Sequence, residues 1–179
     1  MSGDGRGNRA NRPVTGRASS ARTQGAAATR LAERSELELL KWAVHEPDAL
    51  VPWPSASLFA IPVYAEAFNC LASTADFPSA MRLAAERGEE QVISLLHRVA
   101  VEEPQGEAQD VLIQFVRLAT TRAVDDLCQL PADHPDAAIV ATLKHLAEAL
   151  SDPVDPEVRA RALDQLVPWL DTWRNRLNP

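Results

Sequence analysis

The sequence has 179 residues, enough for one domain with a buried core, and its formal net charge at pH 7 is −7. It contains two cysteines, Cys70 and Cys128, far apart in the chain, which excludes a disulfide framework and a cysteine metal motif. We expect both thiols to be reduced and buried.

The first 30 residues differ in composition from the rest. They are rich in arginine, glycine, alanine and serine, with no hydrophobic periodicity, so we predict a disordered, linker-like tail over residues 1–30. Residues 1–35 contain seven arginines and two acidic residues, Asp4 and Glu33, so their formal net charge is +5. Residues 36–179 contain 11 basic and 23 acidic residues, so their formal net charge is −12. Such a tail is either a solvated linker, which we favour, or a weak nucleic-acid contact.

Residues 31–179 are predicted to fold as one all-α domain, because leucine and alanine dominate and no alternating strand pattern occurs. Ser35 and Glu38 have the spacing of a capping box, so a helix is expected to start there and to stop before Pro47. Pro62 favours the first position of the next helix. Pro78 and Gly88 mark the two ends of a third.

Two further helices are predicted over residues 89–101 and 107–130. The second of them carries two apolar stripes, one with Leu112 and Phe115 and one with Ile113 and Val116, which is typical of a helix that bridges two packing partners. It completes a bundle over residues 31–130.

The C-terminal part, residues 134–179, carries leucines at alternating steps of three and four on two segments separated by a proline-rich turn. This pattern predicts an antiparallel helical hairpin. Pro168 interrupts the second segment, so a bend is expected near it. The whole fold class is therefore all-α: a helical bundle, a long bridging helix and a C-terminal hairpin.

Side chains suited to catalysis or metal binding are scattered. Asp125 and Asp126 are adjacent on a helix and point about 100° apart, as expected for a solvated acidic face rather than a catalytic pair. The four histidines are distant from one another, and Cys128 with His134 lacks the spacing of metal ligands. We expect no catalytic residue, no metal and no cofactor.

The stretch LLKWAVHEPDALVP, followed by LFAIPVYAEAF, resembles the start of the C-terminal, helicase-binding domain of bacterial DnaG-type DNA primases, especially those of actinobacteria. A related helical domain begins the DnaB-type replicative helicase, but the long helix and terminal hairpin favour the primase. The matching residues are all of kinds that serve the fold rather than chemistry; they are Leu39, Leu40, Pro47, Leu50, Phe59, Pro62 and Tyr64.

This resemblance implies a protein-interaction domain of the primosome that binds the replicative DnaB-type helicase in DNA replication. The zinc-binding module and catalytic core of a primase are not in this sequence, so primer synthesis is not expected of this chain alone. In the family the hairpin makes the principal helicase contact. The composition of binding hot spots makes Trp169, Trp173 and Arg174 the partner-binding candidates.

The open alternative is a helical adaptor or regulator that uses the same bundle to bind another protein. No apolar run is long enough for a signal sequence or a membrane span, so a cytoplasmic protein without membrane contact is expected.

Overall fold

A computed structural model describes the backbone of residues 16–131, 134–151 and 155–177, and the side chains from residue 29 onward. Within these residues all regular structure is helical and no strand occurs, which confirms the predicted all-α class. Seven α-helices follow one another: α1 Gly16–His45, α2 Pro62–Ala72, α3 Phe77–Glu86, α4 Glu90–Val101, α5 Ala108–Cys128, α6 Val140–Ala149 and α7 Pro156–Leu177. The chain divides into two units, Met1–Leu31 and Ala32–Pro179.

The predicted start of the first helix at Ser35 is wrong, because α1 already begins at Gly16. Residues 16–29, expected to be disordered, are helical; they are rich in alanine, the residue with the highest helix propensity. Residues 1–15 of the predicted tail lie outside the described residues. The capping box is wrong as well, since Ser35 is an internal helix residue and Glu38 binds Lys41 instead.

Proline and glycine mark helix ends as predicted. α1 ends at His45, before Pro47. Pro62 opens α2 without a side-chain cap. Asp76 caps α3, where its carboxylate accepts a hydrogen bond of 2.8 Å from the backbone N–H of Ser79. The hydrogen bonds of Asp76 with the side chain and with the backbone N–H of Ser79 lower its pKa.

The turn from α3 to α4 depends on Gly88, which has a φ of +71°. Its N–H donates to the carbonyl of Ala85, and the N–H of Glu89 donates to that of Ala84, each at 3.1 Å. This is the Schellman arrangement, which satisfies the last carbonyls of a helix and requires a left-handed residue. The two helices are therefore joined by a very short connection.

Two groups of helices form the core. In the first, α2 packs against α3 and α4, and α3 packs against α4. In the second, α5 packs against both α6 and α7, which also pack against each other as the predicted hairpin. Because α5 lies along both hairpin helices, these three helices form one group rather than a bridge with a separate hairpin.

The stripes predicted on α5 are confirmed, because Leu112, Phe115, Ile113 and Val116 are all buried. Leu163, Leu166 and Leu170 of α7 are fully buried too, whereas Leu177 at the end of this helix is 46% exposed. α7 continues through Pro168. The proline-rich turn before α7 lies partly in residues 152–154, outside the described residues.

Candidate functional site on the C-terminal helix

Trp169 and Trp173 lie one turn apart on α7, and their rings stack. The ring centroids are 5.8 Å apart and the planes differ by 11°. Residues four positions apart share one face of a helix, which explains why the two indoles meet. The structure thus brings together two of the three predicted contact residues.

The two tryptophans differ in exposure. Trp173 is only 4% exposed and belongs to the core, whereas Trp169 is half-buried against it. The guanidinium of Arg176 lies 5.2 Å from the centre of the Trp173 ring, a cation–π distance. Trp169 therefore has the accessible indole of the pair, and Trp173 supports it from beneath.

Arg174, the third candidate, faces α5. Its Nη1 lies 3.3 Å from Oδ2 of Asp126. Asp126, expected on a solvated acidic face, is 46% exposed at its side chain but is paired with this arginine. Arg174 thus contributes to the packing of α7 on α5, and its side chain retains 21% exposure.

Two more polar contacts hold the end of α7 in place. Arg176 pairs with Asp136 at 3.5 Å, in a 3₁₀ turn spanning Pro135–Ile139. The hydroxyl of Ser57 donates a hydrogen bond of 2.9 Å to Oδ1 of Asp171. Ser57 belongs to the connection between α1 and α2, so this bond ties α7 to a segment 114 positions earlier in the chain.

We call the half-buried and charged side chains of this region, Trp169, Asp171, Arg174 and Arg176, the α7 surface. An aromatic anchor flanked by arginines on a rigid helix is the composition of a protein-binding hot spot. The arrangement is suited to binding a protein.

Sequence reasoning missed a buried ion pair between α1 and α5. Glu36 is 1% exposed and lies 3.5 Å from Nη1 of Arg122. Its carboxylate also accepts hydrogen bonds from the backbone N–H groups of Ala60 at 2.7 Å and Ile61 at 3.1 Å, and Arg122 donates to the carbonyl of Leu58. These contacts fix the connection before α2 against both helices.

Burial acts on both partners of this pair. It raises the pKa of Glu36 above its ordinary value, although the bonds from Ala60, Arg122 and Ile61 oppose the shift. Burial also lowers the pKa of Arg122, opposed by Glu36. Burial thus acts against the charged form of each partner.

Lys41 is a second buried charge. It is 5% exposed, and its Nζ lies 2.9 Å from Glu38 and 3.0 Å from Glu102. Burial lowers the pKa of Lys41, but the hydrogen bonds to both glutamates outweigh it and the net shift is upward. The hydrogen bonds from Arg98 and Lys41 lower the pKa of Glu102. The spacing of three residues allows the contact of Lys41 with Glu38, but no local pattern signals the burial of Lys41 or its contact with Glu102.

The two cysteines differ. Cys70 is buried, as predicted, and its burial raises the pKa of the thiol. The prediction that Cys128 is buried is wrong, because it is exposed at the last position of α5. Both are free thiols.

Two of the four histidines make polar contacts with the backbone. Nε2 of His45 lies 3.2 Å from the carbonyl of Val99, and Nδ1 of His134 accepts a hydrogen bond of 3.2 Å from the N–H of Asp136. Among the residues with described side chains, no cluster of three or more histidine, cysteine or acidic residues could hold a metal ion. Within the same part of the chain, no helix is both long enough and apolar enough to span a bilayer.

Comparison of the chain with models of protein families, with curated proteins and with solved structures finds no match.

Proposed function

We propose that this chain is a non-catalytic, helicase-binding domain of a DnaG-type DNA primase, which docks on the replicative DnaB-type helicase during priming. The observation that carries the proposal is the helix–proline–helix pattern from Leu39 to Tyr64, on which the resemblance to that family rests. Five of its matching positions are in the core: Leu39, Leu40, Leu50, Phe59 and Tyr64 are at most 9% exposed. A pattern of this kind preserves a fold while leaving the surface free for binding.

The α7 surface is the proposed contact. Trp169 provides a half-buried indole, stacked on the buried Trp173, so little side-chain entropy is lost when a partner covers it. Arg174 and Arg176 are held by Asp126 and Asp136, which orients their remaining donors. Preorganised aromatic and arginine side chains contribute most of the energy in many protein interfaces.

The test is isothermal titration of the full chain with the purified replicative helicase of the same organism. We expect saturable binding that the Trp169→Ala substitution weakens about tenfold, equivalent to about 1.4 kcal/mol. Trp53→Ala is the matched control, because Trp53 is 36% exposed and its ring stacks on Phe68 of α2 rather than on Trp169 or Trp173. The Trp53→Ala variant should bind the helicase with the affinity of the wild type.

Absence of binding at micromolar concentrations would overturn the proposal. If both tryptophan substitutions weakened helicase binding equally, the α7 surface would be excluded as the contact site. Circular dichroism of each variant establishes that the helices are intact.

The arginine tail is proposed as a tether with weak nucleic-acid contact. A variant that begins at Gly16 lacks Arg6, Arg9 and Arg12 but retains all of α1. It should bind the helicase as the full chain does and bind single-stranded DNA more weakly, by an amount that disappears at high salt. Unchanged DNA binding would exclude residues 1–15 from that contact.

A further inference from the structure

A groove lies between the start of α2 and the start of α4. Its first part has a volume of about 540 Å³. A second part of about 370 Å³ shares Val63, Glu90 and Gln91 with it, so the two parts are continuous. We call this site the α2–α4 groove and define it by Pro62, Val63, Leu95, Glu66, Glu89 and Glu90.

The floor of the α2–α4 groove is apolar. Pro62 is exposed, Val63 is half-buried, and Leu95 is 8% exposed. Val63 and Leu95 contact the core from one side and line the groove from the other. A ligand that covers them removes apolar surface from water without requiring a change in the core.

The rim is acidic. Glu66, Glu89 and Glu90 carry three formal negative charges, and Arg87, 4.0 Å from Glu66, offsets one of them. Both side chains of this pair are well exposed, so their attraction is weak. Residues 36–179 together carry −12, which adds a long-range attraction for cations to the local one.

One carboxylate oxygen at the rim lacks compensation. Within the described part of the chain, Oε2 of Glu89 is buried from solvent and has no hydrogen-bond partner. A buried acceptor that is left unpaired costs free energy, more so when it is charged. A cationic ligand side chain would reduce the repulsion among Glu66, Glu89 and Glu90, whereas an acidic ligand would add to it.

We propose that the α2–α4 groove binds a basic amphipathic helix of a partner protein. Its apolar face covers Val63 and Leu95, and its lysine or arginine side chains reach Glu66, Glu89 and Glu90. This is the helix-in-groove mode of recognition, with the charges setting the specificity. It is independent of the α7 surface and does not rest on helicase binding.

The test uses two labelled peptides of about 14 residues, roughly four helical turns, with leucines at helical spacing. In the first peptide all the remaining positions are lysine, and in the second peptide they are all glutamate. Binding of the full chain is measured by fluorescence anisotropy at about 0.15 M salt, where distant charges are screened. We expect the lysine peptide to bind saturably and the glutamate peptide not to bind.

The decisive variant is the double substitution Glu66→Gln and Glu90→Gln, which should weaken the lysine peptide about tenfold. The matched control is Glu148→Gln with Asp164→Asn, which removes the same charge from exposed positions of α6 and α7. It should weaken binding less than twofold. Equal weakening by the two pairs would overturn the proposal, because it would mean attraction by the net charge alone.

Amide chemical shifts of the full chain show where the lysine peptide binds. Addition of the lysine peptide should shift the amides of Val63, Glu66, Gly88 and Gln91 most. Largest shifts on α6 and α7, or no saturable binding, would overturn the proposal while leaving the helicase experiment unaffected.

Discussion

Glu36 of α1 and Arg122 of α5 are 86 positions apart in the chain, yet their side chains form an ion pair at 3.5 Å. The glutamate is buried, and the arginine side chain is 25% exposed. Around them, the backbone of residues 58–61 supplies two donors and one acceptor. The pair therefore joins three segments, and removal of one partner leaves the other charge buried.

Arg122→Met should lower the free energy of unfolding by about 3 kcal/mol, because it leaves the Glu36 carboxylate without its counter-ion. Urea unfolding followed by circular dichroism measures this change. The control is Arg117→Met on the same helix, an exposed position where an effect within about 0.5 kcal/mol is expected. Equal unfolding midpoints for the two variants would contradict the role assigned to the pair.

The pH dependence of stability should distinguish Glu36 from Glu102. Burial raises the pKa of Glu36 in the folded state, so its ionised form costs stability at neutral pH. That cost is relieved as the pH falls through the raised pKa toward the ordinary value of 4.5. The stability of the wild type relative to Glu36→Gln should therefore increase from pH 7 to pH 4.5.

The contribution of Glu102 to stability changes with pH in the opposite direction. Arg98 and Lys41 lower its pKa, so its contribution is present above the ordinary value of 4.5 and is lost as the pH falls through the lowered pKa. The wild type should lose its advantage over Glu102→Gln in that lower range. Unfolding series in urea at fixed pH values measure both differences, and the same sign for both would contradict the assignment.

The two stacked tryptophans should differ in their effect on stability. Trp173→Ala should cost about 3–5 kcal/mol, because it removes a large side chain from the core. Trp169→Ala should cost about 1 kcal/mol, the scale of a lost aromatic pair with little cavity. Thermal unfolding of both variants provides the comparison, and a larger loss for Trp169 would refute the difference in burial.

Gly88→Ala should destabilise the protein by about 1–2 kcal/mol, the cost of a left-handed conformation for an ordinary residue. No atom lies within 4 Å of the added Cβ, so the cost comes from the backbone and not from a clash. Gly88→Asn should recover part of the loss, since asparagine tolerates this conformation better. Equal stability of the glycine and alanine proteins in urea would contradict the strain argument.

Local sequence signals predicted local structure well. The end of α1 before Pro47, the start of α2 at Pro62 and the left-handed turn at Gly88 each depend on one residue and its immediate neighbours. The apolar stripes of α5 followed from helical periodicity alone. The start of α1 was missed because the alanine-rich segment lacks apolar periodicity, although its helix propensity is high.

The polar contacts could not be predicted in this way. Glu36 and Lys41 look like solvated residues in the sequence, and the partner of Glu36 lies in a helix far along the chain. The α2–α4 groove could not be predicted for the same reason, since Val63 and Glu90 come to line one groove only when α2 packs against α4. Of the α7 surface, sequence reasoning named Trp169 and Arg174, and it did not predict that Trp173, named with them, is buried.

The hydrogen bond between Ser57 and Asp171 has a consequence for local unfolding. α2, α3 and α4 are joined by short turns, so they can re-form their contacts at a small cost in loop-closure entropy. α7, by contrast, is tied to residues 55–58 across 114 positions. An opening that breaks this bond separates α7, together with its packing partners α5 and α6, from residues 55–58 while α2, α3 and α4 retain their mutual packing. The amides of α5, α6 and α7 should therefore exchange with solvent in a different unfolding unit from those of α4. The surface proposed for the helicase would then lie in a part of the molecule that opens independently of α2, α3 and α4.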